Sequence, residues 1–249
     1  MLVPHRTPQE IDLMRQAGRI VADVLALMED ELKPGVTTAQ LDAKAEDYIR
    51  QAGARPSFKG YRGFPGSICV SIDHEVVHGI PGSRVIEEGQ VVSVDAGAIW
   101  KGYHGDAART FYVGTPPADV ARLIDTTRLA LMAGIAAAVP GSHVEDVSGA
   151  VEDVAVEGRC DIVRPYVGHG IGTKMHEDLQ VPNYRTGRPG AELAPGGCIA
   201  IEPMLALGSA EVETLSDGWT VVTMDHSLAA HFEHTIAVTE DGPVILTTA

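Results

Sequence analysis

The chain has 249 residues and 45% hydrophobic content, enough to bury one large core, and its three cysteines, Cys69, Cys160 and Cys198, lack the CxxC spacing of a disulfide framework or a cysteine zinc site. A formal net charge of −15 disfavours nonspecific binding to nucleic acid or an anionic membrane. The N-terminus has no secretory pattern and no apolar run reaches the length of a membrane span, so a cytoplasmic protein without a membrane partner is expected. The negative charge has two compatible readings: solubility, and carboxylates buried around cations that a formal count ignores.

Between Glu10 and Met28, apolar residues fall at Ile11, Met14, Ala17, Val21, Val24, Leu25 and Met28, the spacing of an amphipathic helix. Lys33-Pro34-Gly35 breaks the chain. Thr37-Thr38-Ala39-Gln40 then offers a capped start for a second helix bearing Leu41, Ala45, Tyr48 and Ile49 and ending near Gly53. Cys69-Val70-Ser71-Ile72 has strand character, and a β-rich run, Val91-Val92-Ser93-Val94, ends in Asp95. A further strand is expected over Asp106–Val113.

The same grammar returns later. Pro140-Gly141 precedes Ser142-His143-Val144-Glu145, a capping box that opens a helix with Val147, Val151 and Val154 and stops near Gly158. Cys198-Ile199-Ala200-Ile201 ends in Glu202, and His231–Val238 reads as the following strand. Pro34 and Asp95 stand 61 positions apart, and Pro140 and Glu202 stand 62 apart. The repeat implies two related halves, at about 10–115 and 116–249, folded as a single domain. It pairs Asp95 with Glu202 and Asp106 with Glu233, leaving His169 unmatched.

Acids on core strands need compensation, because burying an unpaired carboxylate costs several kcal/mol or forces protonation. For any single acid a surface position or an arginine partner suffices. For four acids at matched positions, two divalent cations are the economical explanation, and oxygen-rich sites with an imidazole suit manganese, iron, cobalt or zinc. His169 stands in Gly168-His169-Gly170-Ile171-Gly172, whose glycines allow close backbone approach. His176 follows seven positions later, and His78 precedes the turn residues Gly79 and Pro81. His74-Glu75-Val76-Val77-His78 matches HExxH in letters only: that zinc motif works on a helix, and strand-like residues before it and Gly79 after it oppose one.

With its motifs Glu75–Pro81, Val94-Asp95-Ala96-Gly97, Gly105–Thr110, Gly168–Gly172, Ile201-Glu202-Pro203 and Phe232–Thr235, the chain resembles type I methionine aminopeptidases. The resemblance covers essentially its whole length. It implies an α+β pita-bread fold, in which two pseudo-symmetric halves share a central antiparallel sheet covered by helices. It also implies removal of N-terminal methionine from nascent polypeptides by two divalent metal ions. Asp95 would bind one ion, His169 and Glu202 the other, and Asp106 and Glu233 both. Glu202 would act as general base and then acid, His176 would stabilise the oxyanion, and His78 would bond the peptide. Tyr61, Phe64, Cys69, His78 and Trp219 would line the methionine pocket, with His176 also touching substrate. Met175 departs from the aromatic residue that many relatives carry at this position beside the pocket. Relatives that cleave before proline often carry an extra N-terminal domain, and here the first helix begins almost at once, so methionine removal is favoured. Any ribosome contact is expected to be transient or surface-mediated.

Overall fold

The computed structural model describes residues 3–248. Helix α1 (Pro8–Glu31) starts at a capping box in which the Thr7 hydroxyl accepts from Glu10 N–H and the Glu10 carboxylate accepts from Thr7 N–H. Helix α2 (Thr38–Gln51) starts in the same way from Thr37 and Gln40. Helix α3 (Ala118–Ala137) lies where the sequence reading placed no element. Its inner face includes Thr126, Thr127 and Gly134, while Leu129 and Met132 are exposed, so its apolar stripe is broken. Helix α4 (Val144–Glu157) is capped one residue later than expected. The Asp146 carboxylate accepts from His143 N–H at 2.7 Å, and Ser142 Oγ donates to the Val139 carbonyl instead. Glu145 is drawn away because it accepts from Thr186 and Gly187 in a facing loop.

The strands of the first half are β1 (Arg55–Pro56), β2 (Ile68–Ile72), β3 (Glu75–Val77), β4 (Val91–Trp100) and β5 (Tyr103–Tyr112). Those of the second are β6 (Asp161–Ile162), β7 (Gly168–Gly170), β8 (Glu177–Val181), β9 (Cys198–Ile201), β10 (Met204–Ala206), β11 (Val212–Thr214), β12 (Val221–Thr223), β13 (Ala229–His231), β14 (Glu233–Thr239) and β15 (Gly242–Ile245). A nine-stranded antiparallel sheet runs β1-β4-β5-β14-β9-β7-β8, with β2 also on β4 and β15 also on β14. Outward from the β5–β14 seam the order is alike on both sides: β4 then β1 and β2, against β9 then β7. Two apolar cores flank the sheet, one built with α1 and α2 and the other with α3 and α4. This is the expected pseudo-symmetric pita-bread arrangement. Among the described residues no helix is long and apolar enough to cross a membrane.

Two strands differ from expectation. β4 continues five residues past Asp95 to a tight hairpin at Lys101 and Gly102, both at positive φ, so Asp95 is central rather than terminal. The strand expected over His231–Val238 breaks at Phe232, where the chain changes partners: β13 pairs with β10, and β14 pairs with β5, β9 and β15. The HExxH letters lie on a turn at Asp73 and His74 followed by β3, so no helix carries them.

Threonine hydroxyls complete the seam. Thr110 Oγ1 donates to the His231 carbonyl and accepts from His231 N–H, each at 2.8 Å. Thr235 Oγ1 donates to the Asp106 carbonyl at 2.8 Å and accepts from Asp106 N–H at 3.0 Å. α1 presses on β5 at Gly18 and Gly105: a Cβ on Gly105 would lie 2.6 Å from Gly18 N, and one on Gly18 would lie 2.1 Å from the Leu246 carbonyl oxygen. Gly18→Ala is therefore expected to destabilise the fold by about 1–3 kcal/mol, read as a lower urea midpoint at unchanged slope. An unchanged midpoint would contradict this packing.

Candidate metal centre

Strand register alone brings the acids together. Asp95 on β4 and Glu233 on β14 both stand opposite Ala108 on β5. His234 pairs with Ile201, so the register carried one step further sets Glu202 opposite Glu233. Partners in a ladder point to one face, and so do residues two apart on a strand, which adds Asp106 beside Ala108. His169 pairs with Ala200, two residues before Glu202, and joins the same face. All five expected ligands line one cavity of about 420 Å³.

The cluster is buried and electrostatically strained. Asp106 is 4%, His169 6% and Glu233 2% exposed. Asp95 Oδ1, Asp106 Oδ1 and Glu233 Oε1 are buried with no hydrogen-bond partner. Burial pushes the Asp95 carboxyl up to about 7. It raises Asp106, Glu202 and Glu233 well above the carboxylate range, with further upward pressure from neighbouring carboxylates.

His169 meets these acids with a lone pair. Its Nδ1 is 3.0 Å from the Gly170 carbonyl, which can only accept, so Nδ1 carries the proton and Nε2 is bare. Burial, helped by nearby His176, pushes His169 down to about 3, so it is neutral at pH 7. Bare Nε2 lies 3.6 Å from Glu202 Oε1. A lone pair facing a carboxylate, beside three orphaned carboxylate oxygens, is a donor set that fits divalent cations. Asp106, His169 and Glu233 bring one donor atom each within 4.8 Å of one another, as do Glu202, His231 and Glu233.

His231 was not among the expected site residues. The register explains its presence and corrects the repeat. Thr110 holds the backbone of His231 as Thr235 holds that of Asp106, and each threonine stands four positions after its own half's counterpart. Asp95 thus corresponds to Glu202 as expected, whereas Asp106 corresponds to His231 and Ala108 to Glu233. The shared four-residue spacing was the signal in the sequence.

The expected pocket residues line the same cavity: Tyr61, Phe64, Cys69, His78, His176 and Trp219. Phe58, Tyr166 and Met175 join them without having been assigned there. Phe64 packs edge-on against Trp219 with ring centres 5.1 Å apart, and Phe58, Phe64, Cys69 and Met175 form a small buried cluster. Met175 thus takes its place in the pocket wall. His176 stacks near His169 at 4.2 Å between ring centres, and its Nδ1 lies 2.9 Å from the Tyr61 hydroxyl. His78 sits at positive φ, edge-on to Tyr166 and Trp219, and burial lowers it to about 4. His74 instead faces His226 and does not line the cavity.

The chain is 52% identical to a methionine aminopeptidase of Clostridium acetobutylicum, over 96% of each chain. It is 49% identical to methionine aminopeptidase 1 of Bacillus subtilis, over 97% of this chain and 98% of that one. The solved structure of a methionine aminopeptidase from Thermotoga maritima superposes with a TM-score of 0.97 at 40% identity, covering 100% of both chains. Residues 12–240 match the profile of metallopeptidase family M24, and with relatives this close over nearly its whole length the chain belongs to that family.

Proposed function

We propose that this protein is a divalent-metal-dependent aminopeptidase that hydrolyses the bond after an N-terminal methionine in nascent polypeptides and peptides. The carrying observation is that the acid cluster and an apolar, aromatic-lined pocket share one cavity of about 420 Å³. Aromatic faces attract a thioether, so Phe58, Phe64 and Trp219 suit a methionine side chain. The near-full-length relatives named for this activity support the same reading.

The donor set suits two ions: Asp95 would hold one, His169 and Glu202 would hold the other, and Asp106 and Glu233 would serve both. Bound there, manganese, iron, cobalt or zinc supplies Lewis-acid polarisation and a water acidified toward neutrality. Glu202, beside His169 at the centre of the acid cluster, would accept the proton of the attacking water and return it to the leaving amine. With the Tyr61 hydroxyl, 2.9 Å from His176 Nδ1, as the donor, the ring's proton would sit on Nε2 and bond the substrate carbonyl oxygen as charge develops. Neutral His78 bonds the peptide beside the pocket. The carboxylate wall of the cavity also holds the substrate's free α-amine, which restricts cleavage to the first residue. One catalytic domain of two halves, at about 10–115 and 116–249, carries all of this. Substrates of this kind and three unpaired buried cysteines suit the cytoplasm. The net charge of −15 opposes a lasting hold on ribosomal RNA, so contact with the ribosome is transient.

Methionine release from Met-Ala-Ser is expected, to be lost with chelator and restored by metal, with no cleavage of Ala-Pro and little of Met-Leu. Cleavage of Ala-Pro in place of Met-Ala-Ser would overturn the specificity, and activity after complete metal removal would overturn the mechanism. Asp106→Ala and Glu233→Ala are each expected to abolish activity and reduce bound metal, measured by elemental analysis. His176→Ala is expected to lower kcat about 10²–10³-fold with metal content intact. Metal loss in that variant would refute the oxyanion role.

A further inference from the structure

Glu202 is bracketed by two imidazoles. His169 Nε2 lies 3.6 Å from Oε1, and His231 Nε2 lies 3.9 Å from Oε2. The rings differ in what they present. His169 Nε2 is bare, because its proton is held at Nδ1 by the Gly170 carbonyl. His231 Nε2 faces Glu202 Oε2 and Glu233 Oε2, each at 3.9 Å, and has no hydrogen-bond partner. A ring nitrogen buried opposite two acceptors is where the proton of a neutral imidazole belongs.

The backbone under His231 is fixed. Thr110 Oγ1 bonds both its N–H and its carbonyl, and the Ser93 hydroxyl bonds Thr110 Oγ1 at 2.8 Å. The side chain is only 2% exposed. The 3.9 Å separation exceeds a hydrogen bond by about 0.7–1 Å. His231 also occupies in its half the place that Asp106 occupies in the other, so the repeat delivers it to the centre.

We propose that His231 is a positioning residue for Glu202: its Nε2–H holds Oε2, which fixes the rotation of the carboxylate and leaves Oε1 on the side of His169. The hold does not consume the base, because each carboxylate oxygen has two lone pairs. Partners of this kind, one step removed from a metal, orient its ligands and set their affinity. The assignment rests on Glu202 acting as proposed above.

Two variants test it. His231→Gln keeps an N–H donor, and His231→Leu removes it. Calorimetric titration of the metal-free proteins with Mn²⁺ should give the parent's stoichiometry in both, with affinity about 10–100-fold weaker in His231→Leu and largely restored in His231→Gln. With Met-Ala-Ser, His231→Leu should lower kcat far more than it alters KM and should shift the acid limb of the kcat profile, again with rescue by His231→Gln. Histidine-labelled parent protein, free of metal, should show the His231 proton on Nε2 by ¹⁵N–¹H correlation. Parent-like affinity and kcat in His231→Leu, equal impairment in His231→Gln, or a proton on Nδ1 would each overturn the proposal. Loss of a whole metal equivalent would overturn it too, making His231 a direct ligand. If His231→Leu fails to fold, the parent spectrum and His231→Gln still decide. Failure of the underlying reading is distinguishable, since it appears as absence of methionine release by the parent enzyme.

Discussion

Repulsion among four carboxylates on one face of one sheet is the constraint around which the structure is arranged. In water such charges would separate, but here the strand register holds Asp95, Asp106, Glu202 and Glu233 together, Asp106 and Glu233 buried and Asp95 and Glu202 half-buried at the cavity wall. At low effective dielectric their mutual repulsion is several times that in water, and only protons or cations relieve it. Burial raises all four acids, and neighbouring carboxylates add to the rise at Asp106, Glu202 and Glu233. The bare nitrogen of His169 points the same way, since a lone pair beside a carboxylate is favourable only with positive charge near both.

Holding such a cluster requires a rigid frame. Ala108 stands in register between Asp95 and Glu233, and its small side chain leaves room in the row where a larger one would fill the space between the acids. Helix α1 lies against β5 with no space for a methyl group at Gly18 or Gly105, so the strand bearing Asp106 is backed directly by helix backbone. Gly168 does the same near His169: a Cβ there would lie 2.4 Å from the Ala200 carbonyl oxygen. Close packing at β5 and at β7 resists the spreading that the charges favour.

The parts legible in the sequence are those that local chemistry decides. α1 and α2 were readable because caps and apolar period agree, as at Thr7 with Glu10 and Thr37 with Gln40. α3 was not, because Thr126, Thr127 and Gly134 interrupt its buried stripe. Asp95 read as a strand end because Ala96, Gly97 and Ala98 after it are poor strand formers, and they are kept extended by pairing with β5 on one side and with β2 and β1 on the other. The acids stood out as misfits on core strands, but matching acid to acid across the repeat passed over the four-residue spacing from Asp106 to Thr110 and from His231 to Thr235, whose meaning appears only in the strand register. His231 was missed for that reason. The pocket wall is assembled from residues as distant as Phe58 and Trp219, so only the family resemblance pointed to it.

The reciprocal threonines have a consequence for motion. Thr110 belongs to one half and grips the other half's strand beside the centre, and Thr235 returns the grip. Four buried hydrogen bonds thus cross the line along which two lobes would otherwise swing, making a weld of what other two-lobed proteins use as a hinge. Parting the halves at this seam would break all four bonds at once, so the floor of the cavity keeps the shape that the sheet gives it.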